Sequence, residues 1–444
     1  MALRGSRRGR IALPPPAVLA IAYACFIAAG TAGLMLPAAQ AIPFTWGDAL
    51  FTATSAVTVT GLIVVDPAAV LTPLGQGILL VLIQLGGLGL MVFGVLVLSA
   101  LGLPVGLAGR SWLREDLNQT SFSDLGQLIA TIARVVIALE LLGAAALAVA
   151  FVPDLGWEAG LWAAVFHSVS ALNNAGLSIF SDSLAGYVDD VVVNVTVPLL
   201  FIVGGLGYSV LADLARARGW RGLTLHAKLM LSGTAVLIAV GVIGIGVLEW
   251  NNVATLGGLQ NEPRVMAIWF QAVTPRTAGF NTIDIAGLDD ATALLVICLM
   301  VVGGGPTSTA GGSKVTTLVV MGLATLAFFR RQSAVSAFGR SIPMAEAMKV
   351  MAIVTLSLML IVLTTFVLAL TTEAPFLDLA FEAASAFGTV GLSRGATGEL
   401  DDVGRGMIIA TMFVGRLGPL ALGFFLATRT APLVRYPASR VQFG

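Results

Sequence analysis

The chain has 444 residues and a mass of 45.7 kDa; 57% are hydrophobic, 11% are charged, and the mean hydropathy is +0.95. Its 24 basic and 24 acidic residues cancel, so net charge points to no partner. So little polar surface excludes an ordinary soluble enzyme, a disordered chain and a nucleic-acid binder, and apolar stretches of about 20 residues or more predict an all-α polytopic membrane protein.

Taken in chain order, apolar stretches are predicted at roughly 15–39, 74–103, 125–152, 191–212, 225–248, 291–328, 343–370 and 405–428. Each is long enough to cross about 30 Å of hydrocarbon, which gives eight spans. The first follows Arg4, Arg7, Arg8 and Arg10 but is too long for the apolar core of a cleaved leader, so it reads as a retained span. The stretch 291–328 is too long for one simple span and contains Gly303-Gly304-Gly305-Pro306-Thr307 and Gly311-Gly312-Ser313-Lys314. A broken helix with an irregular loop is expected there.

Charge alternates along the connections. Arginines and lysines gather at the N-terminus, after spans two, four and six, and at the C-terminus. The intervening connections are acidic, with Asp48, Asp66, Asp182, Asp189, Asp190, Glu262, Asp284, Asp289, Asp290, Glu373, Glu399, Asp401 and Asp402. The positive-inside rule then places both termini in the cytoplasm. An acidic outer face would raise the local cation concentration, although short solvated loops would carry the same charges. Cys25 and Cys298 lack metal-ligand spacing and predict no disulfide. Two histidines, His167 and His226, are too few for a histidine-built metal centre.

The acidic connections carry a recurring motif: FTATSAVTVTGL (51–62), FHSVSALNNAGL (166–177), FQAVTPRTAGF (270–280) and FEAASAFGTVGL (381–392). Each starts with Phe and ends with Gly followed by Leu or Phe, and Gly61, Gly176, Gly279 and Gly391 recur at separations of 115, 103 and 112 residues. Four copies of one unit are indicated, each reading span, short helix, glycine turn, span. The short helix cannot cross a bilayer, so it is expected to re-enter from outside, and irregular backbone at that depth must be buried or line a cavity. Four such loops around one axis would form a central pore. Taken singly, any of them is an ordinary glycine turn after a helix.

The residues leading to the four glycines are Thr58-Val59-Thr60-Gly61, Asn173-Asn174-Ala175-Gly176, Arg276-Thr277-Ala278-Gly279 and Gly388-Thr389-Val390-Gly391. They hold no carboxylate, thiolate or imidazole. An ion would have to be met by backbone carbonyls and hydroxyls, which suits a monovalent cation such as K⁺ and disfavours Ca²⁺ or Mg²⁺.

In these motifs the chain resembles the Trk/Ktr/HKT superfamily of potassium transporters over nearly its full length, and the absence of an extra N-terminal helix pair is most similar to Ktr-type membrane subunits. The resemblance implies four units (11–103, 104–215, 216–335 and 336–444, the last with a cytoplasmic tail), each M1–pore helix–filter–M2. The sixteen residues above would be the selectivity filter, with K⁺ at their backbone carbonyls. GTVG in the fourth loop looks like a simple K⁺-channel filter, and the first three depart from it, so fewer well-formed ion sites are expected. The resemblance also implies an intramembrane gating loop containing Gly303, Gly304, Gly305, Thr307, Gly311, Gly312 and Lys314, with Arg416 of the last span facing the pathway below the filter. Arg416 could be an electrostatic barrier, a partner of the gate or a structural ion pair; Lys314 could compete with a permeating cation or snorkel.

Arg276 is expected to point away from the axis and hold neighbouring loops, with Glu382 as one partner. Asn173 and Asn174 could supply amide oxygens or brace. His167, Glu140 and Arg134 read as structural. The expected function is potassium uptake across the bacterial cytoplasmic membrane. No ATPase motif is present and no enzyme activity or covalent cofactor is expected. The implied partners are a second copy of the chain, a cytoplasmic nucleotide-binding ring of RCK type and the lipid bilayer, with Na⁺ as an activator left open. Two alternatives stand beside this: a sodium-permeable member of the superfamily, disfavoured by the intact Gly61, and an alternating-access transporter for an organic solute, disfavoured by four glycine loops without a polar substrate pocket.

Overall fold

The computed structural model describes residues 15–89, 125–306, 308–332 and 334–418. Its helices are α1 (Pro15–Leu34), α2 (Trp46–Val57), α3 (Pro73–Gly87), α4 (Leu125–Leu155), α5 (Trp157–Leu172), α6 (Val191–Leu206), α7 (Tyr208–Arg216), α8 (Leu225–Glu249), α9 (Asn261–Val273), α10 (Asp290–Met300), α11 (Val315–Phe329), α12 (Met344–Thr371), α13 (Phe376–Gly388) and α14 (Asp402–Leu417). Local chemistry sets several starts. Thr45 and Asp48 form a reciprocal capping box on α2, Thr72 caps α3 ahead of Pro73, and Asp190, Thr224 and Asp401 cap α6, α8 and α14. A hairpin pairs β1 (Val335–Ala337) with β2 (Arg340–Ile342) in the connection between α11 and α12, turning through Phe338 and Gly339 at φ values of 49° and 74°.

Among the described residues, three segments are long and apolar enough to cross a membrane: Ala130–Leu155, Leu225–Glu249 and Met344–Thr371. Shorter apolar helices lie at Leu19–Leu34, Pro73–Gly87, Asp290–Met300 and Val315–Phe329. The remainders of the expected spans 74–103 and 405–428 fall outside the described residues, as does the tail beyond 418. The stretch 291–328 is broken as expected, with an irregular segment between Met300 and Val315. The stretch expected as one span at 191–212 is not straight: α6 and α7 meet at a bend of 94°. Gly207 makes the corner at φ 90° and ψ 143°, a conformation that side chains disfavour, so the apolar run was continuous where the backbone was not.

Packing links the four short helices α2, α5, α9 and α13 in a closed sequence. The core of α1 to α3 takes in Phe166 and Leu177 from the second motif. The core of α4 to α6 takes in Phe270 and Phe280 from the third, and that around α8 to α10 takes in Phe381 and Leu392 from the fourth. The core of α13 and α14 takes in Phe51 and Leu62 from the first. The Phe and Leu or Phe that bracket each motif are therefore buried side chains that lock it into its neighbour.

A second constraint brings three of the four short helices against the helix that follows. A Cβ on Gly86 of α3 would run into the Val57 carbonyl oxygen, one on Gly204 of α6 into that of Leu172, and one on Gly415 of α14 into that of Phe387. Each of those carbonyls belongs to the last residue before one of the glycine quartets. Gly86→Ala is expected to cost about 1–3 kcal/mol through overpacking, read as a lower thermal-unfolding midpoint in detergent. Gly77→Ala is the control on the same helix: nothing lies within 4 Å of its Cβ. Its effect is expected to stay within about 1 kcal/mol.

Candidate functional site

The four glycine loops adopt one backbone pattern. The second residue of each quartet lies at positive φ (Val59 54°, Asn174 59°, Thr277 71°, Thr389 50°), and so does the fourth (Gly61 93°, Gly176 65°, Gly279 78°, Gly391 95°). Three different side-chain types hold a left-handed conformation at the second position, including a β-branched Val, where such backbone is costly. Local propensity does not dictate that repetition; the surrounding structure imposes it. Fifteen of the sixteen residues are buried, and Gly391 is half-buried.

The fourth position is closed to any side chain for a second reason. A Cβ on Gly61 would lie 2.6 Å from the Ala175 carbonyl oxygen, and one on Gly176 would lie 2.7 Å from that of Ala278. On Gly279 and Gly391 it would run into the carbonyl oxygens of Val390 and Thr60. The order is loop one on two, two on three, three on four and four on one. The four loops thus form a closed ring in which each glycine rests on the peptide of its neighbour.

Short helices hold the loops by hydroxyls that the sequence reading had passed over. The Gly61 N–H donates to Ser55 Oγ at 3.0 Å and the Gly391 N–H to Ser385 Oγ at 3.1 Å. Ser170 Oγ donates to the Leu177 carbonyl at 2.7 Å, and Thr274 Oγ1 to that of Phe280 at 2.6 Å. The signal was present: Ser stands six residues before three of the glycines, and Thr five before the other. Thr58 and Thr60 share a hydroxyl contact of 2.8 Å, and Thr58 also donates to the Thr54 carbonyl at 2.7 Å.

The polar side chains near the ring brace it. Asn173 Nδ2 donates to Gln84 Oε1 (3.0 Å) and Glu140 Oε1 (3.1 Å), and Asn174 Nδ2 donates to Thr277 Oγ1 (3.1 Å). Arg276, 7% exposed, turns to α8 and donates to Thr234 Oγ1 at 3.2 Å. The expected pairing of Arg276 with Glu382 is not made. Glu382 accepts instead from Ser393 Oγ (2.6 Å), the Arg394 N–H (3.0 Å) and Thr397 Oγ1. Three nearby donors of its own loop outcompete a cation held on another helix. Buried His167 bonds the Ala163 carbonyl and Ser178 Oγ and stacks on Phe180. Arg405 and Asp48 form an ion pair of 2.9 Å that ties α14 to α2.

The break between α10 and α11 lies directly beneath the ring. A Cβ on Gly303 would meet Thr277 Cγ2 at 3.3 Å, one on Gly311 would strike the Thr389 side chain, and one on Gly312 would lie 3.1 Å from Gly388 Cα. The segment is held by backbone bonds from Gly303 to Ser313 (2.7 Å), Gly305 to Gly205 (2.7 Å) and Val315 to Gly304 (3.1 Å). Lys314 Nζ donates to the Ala310 carbonyl at 2.7 Å. Arg416 donates to the Thr309 carbonyl, to the Gly86 carbonyl and, at 3.3 Å, to Tyr23 Oη, so it ties the segment to α1 and α3. Thr307 lies outside the described residues.

On the opposite side, all four ring glycines open onto one cavity of about 400 Å³ whose walls include Asp66, Asp182 and Asp284. Among the described residues, no three His, Cys, Asp or Glu side chains gather so as to hold a metal ion. The chemistry on offer is a ring of uncharged peptide groups under a carboxylate-lined cavity, suited to a monovalent cation.

Glu382→Ala would strand three donors around a buried site, and the expected cost is about 3 kcal/mol. Thermal unfolding in detergent reads it directly, and Glu382→Gln, which keeps one acceptor oxygen, should lose clearly less. Equal midpoints for Glu382→Ala and the unaltered protein would show that the brace carries no load.

The TrkH family model, described as cation transport protein, matches residues 19–429. Ktr system potassium uptake protein B of Bacillus subtilis is 43% identical over 97% of both chains, and its namesake from Vibrio alginolyticus is 38% identical over 97% of this chain and 95% of that one. The potassium/sodium uptake protein NtpJ of Enterococcus hirae is 35% identical over 99% of both. The crystal structure of the potassium transporter TrkH from Vibrio parahaemolyticus shares the fold, with a TM-score of 0.73 at 19% identity over 95% of this chain and 86% of that one. With a family match across most of its length and a ring of four glycine loops at its centre, the chain belongs to the TrkH family of cation transport proteins.

Proposed function

We propose that this chain is the membrane subunit of a potassium-uptake system, built as four M1–pore helix–filter–M2 units around a central pore. Potassium enters from the acidic cavity, passes the carbonyls of the four loops and meets a gate formed by 303–314 with Arg416. The observation that carries this reading is the closed glycine-to-carbonyl ring, because it brings uncharged acceptors from four loops together. An inside-negative membrane potential favours entry by about 2.3 kcal/mol per charge per 100 mV.

The chain sits as a multi-pass protein in the bacterial cytoplasmic membrane with both termini inside. It pairs with a second copy and is controlled by a nucleotide-binding ring of RCK type on its basic face. The names of the two Ktr relatives support a multi-component system. The name of the Enterococcus hirae relative keeps sodium in view, as activator or as a second permeant ion.

Flux into liposomes, with K⁺, Rb⁺, Na⁺ and Li⁺ compared, tests the filter. K⁺ and Rb⁺ should be preferred, and Gly61→Ser should reduce the K⁺/Na⁺ preference on the order of tenfold or more. Equal or greater Na⁺ flux through the unaltered protein would exclude the potassium reading and favour a sodium-permeable transporter.

The gate makes a separate prediction. Arg416→Gln removes the cation that holds the Thr309 and Gly86 carbonyls. Flux of the reconstituted subunit without its partner ring should rise several-fold. Reduced flux would mean that Arg416 holds the pathway open, not closed.

A further inference from the structure

Thr309, at the tip of the segment beneath the ring, is 3% exposed and is engaged on three sides. Its N–H donates to the Gly204 carbonyl of α6 at 3.3 Å, and its carbonyl accepts from Arg416. Its hydroxyl lies 2.9 Å from Asn174 Oδ1 and 3.2 Å from the Leu172 carbonyl. The first two contacts hold the segment in place. The third reaches the filter, because Asn174 is the second residue of loop two and stands at φ 59°.

Asn174 also works in the other direction. Its Nδ2 donates to Thr277 Oγ1 at 3.1 Å, and Thr277 is the second residue of loop three, at φ 71°. The amide therefore spans two adjacent loops at their left-handed positions and receives the gate hydroxyl on its oxygen. Among the described residues, no donor besides that hydroxyl reaches Asn174 Oδ1. A buried acceptor stranded in this way destabilises the arrangement that strands it. Left-handed backbone at Thr277 is costly for a β-branched residue and depends on such support.

We propose that Thr309 and Asn174 are specificity-positioning residues that couple gate to filter: the hydroxyl–amide bond holds loops two and three in register, so ion preference depends on where the gate segment stands. With the segment docked, the ring keeps its potassium geometry; with it withdrawn, loops two and three loosen and discrimination against sodium falls. This deepens the filter-and-gate reading given above and rests on it. A gate that is only a plug would change the rate and leave preference alone.

The test is the ratio of K⁺ to Na⁺ affinity, measured by calorimetry on the purified full chain in detergent, so that a closed pathway does not silence it. Thr309→Val removes the hydroxyl and nearly keeps the shape; the ratio should fall about tenfold, the effect of stranding one buried acceptor. Thr309→Ser keeps the hydroxyl and should keep the ratio. Asn174→Gly accepts the positive φ without the amide and should show the same loss, with the double variant no worse than either single one. An unchanged ratio in Thr309→Val, or additive losses in the double variant, would overturn the coupling. Gly61→Ser runs alongside: if it lowers the ratio while Thr309→Val does not, the filter stands and the coupling falls. If Gly61→Ser leaves the ratio intact, the filter reading itself is wrong.

Discussion

The molecule is organised around the contact between a glycine Cα in one loop and a peptide carbonyl in the next. Gly61, Gly176, Gly279 and Gly391 leave no room for a Cβ, because Ala175, Ala278, Val390 and Thr60 present their oxygens there. Such proximity holds only if the four loops are fixed from outside. The bracketing Phe and Leu or Phe residues fix them by entering the neighbouring core. The hydroxyls of Ser55, Ser170, Thr274 and Ser385 fix them from the short helices. Gly86, Gly204 and Gly415 let the following helices approach closely enough to back the ring.

Beneath the ring the same economy of side chains recurs. Small residues between Met300 and Val315 let an irregular segment touch loops three and four by its backbone, while Thr309 reaches loop two by its hydroxyl. One arginine, Arg416, joins that segment to the Gly86 carbonyl, the residue whose missing side chain admits α2. The elements assigned to selection and to gating therefore share partners, and neither can shift without changing what surrounds the other. Irregular backbone of this kind persists at membrane depth only where protein or a cavity satisfies it.

Much of this was legible in the sequence, for identifiable reasons. Glycine at near-regular separations marks a backbone requirement, and the flanking Phe and Leu mark a repeated burial, so the four loops could be placed before any coordinates. The double glycines and Pro306 announced the break in 291–328. Side-chain partners were less accessible. Arg276 and Glu382 have opposite charges and similar settings, which suggested a pair, yet Glu382 finds three donors within its own loop and Arg276 finds Thr234. The bend at Gly207 was hidden because hydropathy averages over a corner that a single φ value creates. Thr309 was invisible as a hub, since its partners lie 135 and 137 residues away in the chain.

The most direct measurement is diffraction from crystals soaked in Rb⁺, using its anomalous signal to locate the ion. Density is expected on the axis of the four loops, next to the carbonyls of Thr60, Ala175, Ala278 and Val390, and it should be displaced by K⁺ and not by Na⁺. Rubidium bound only at the carboxylates of the outer cavity, with the ring empty, would contradict the claim that these four peptide groups select the ion.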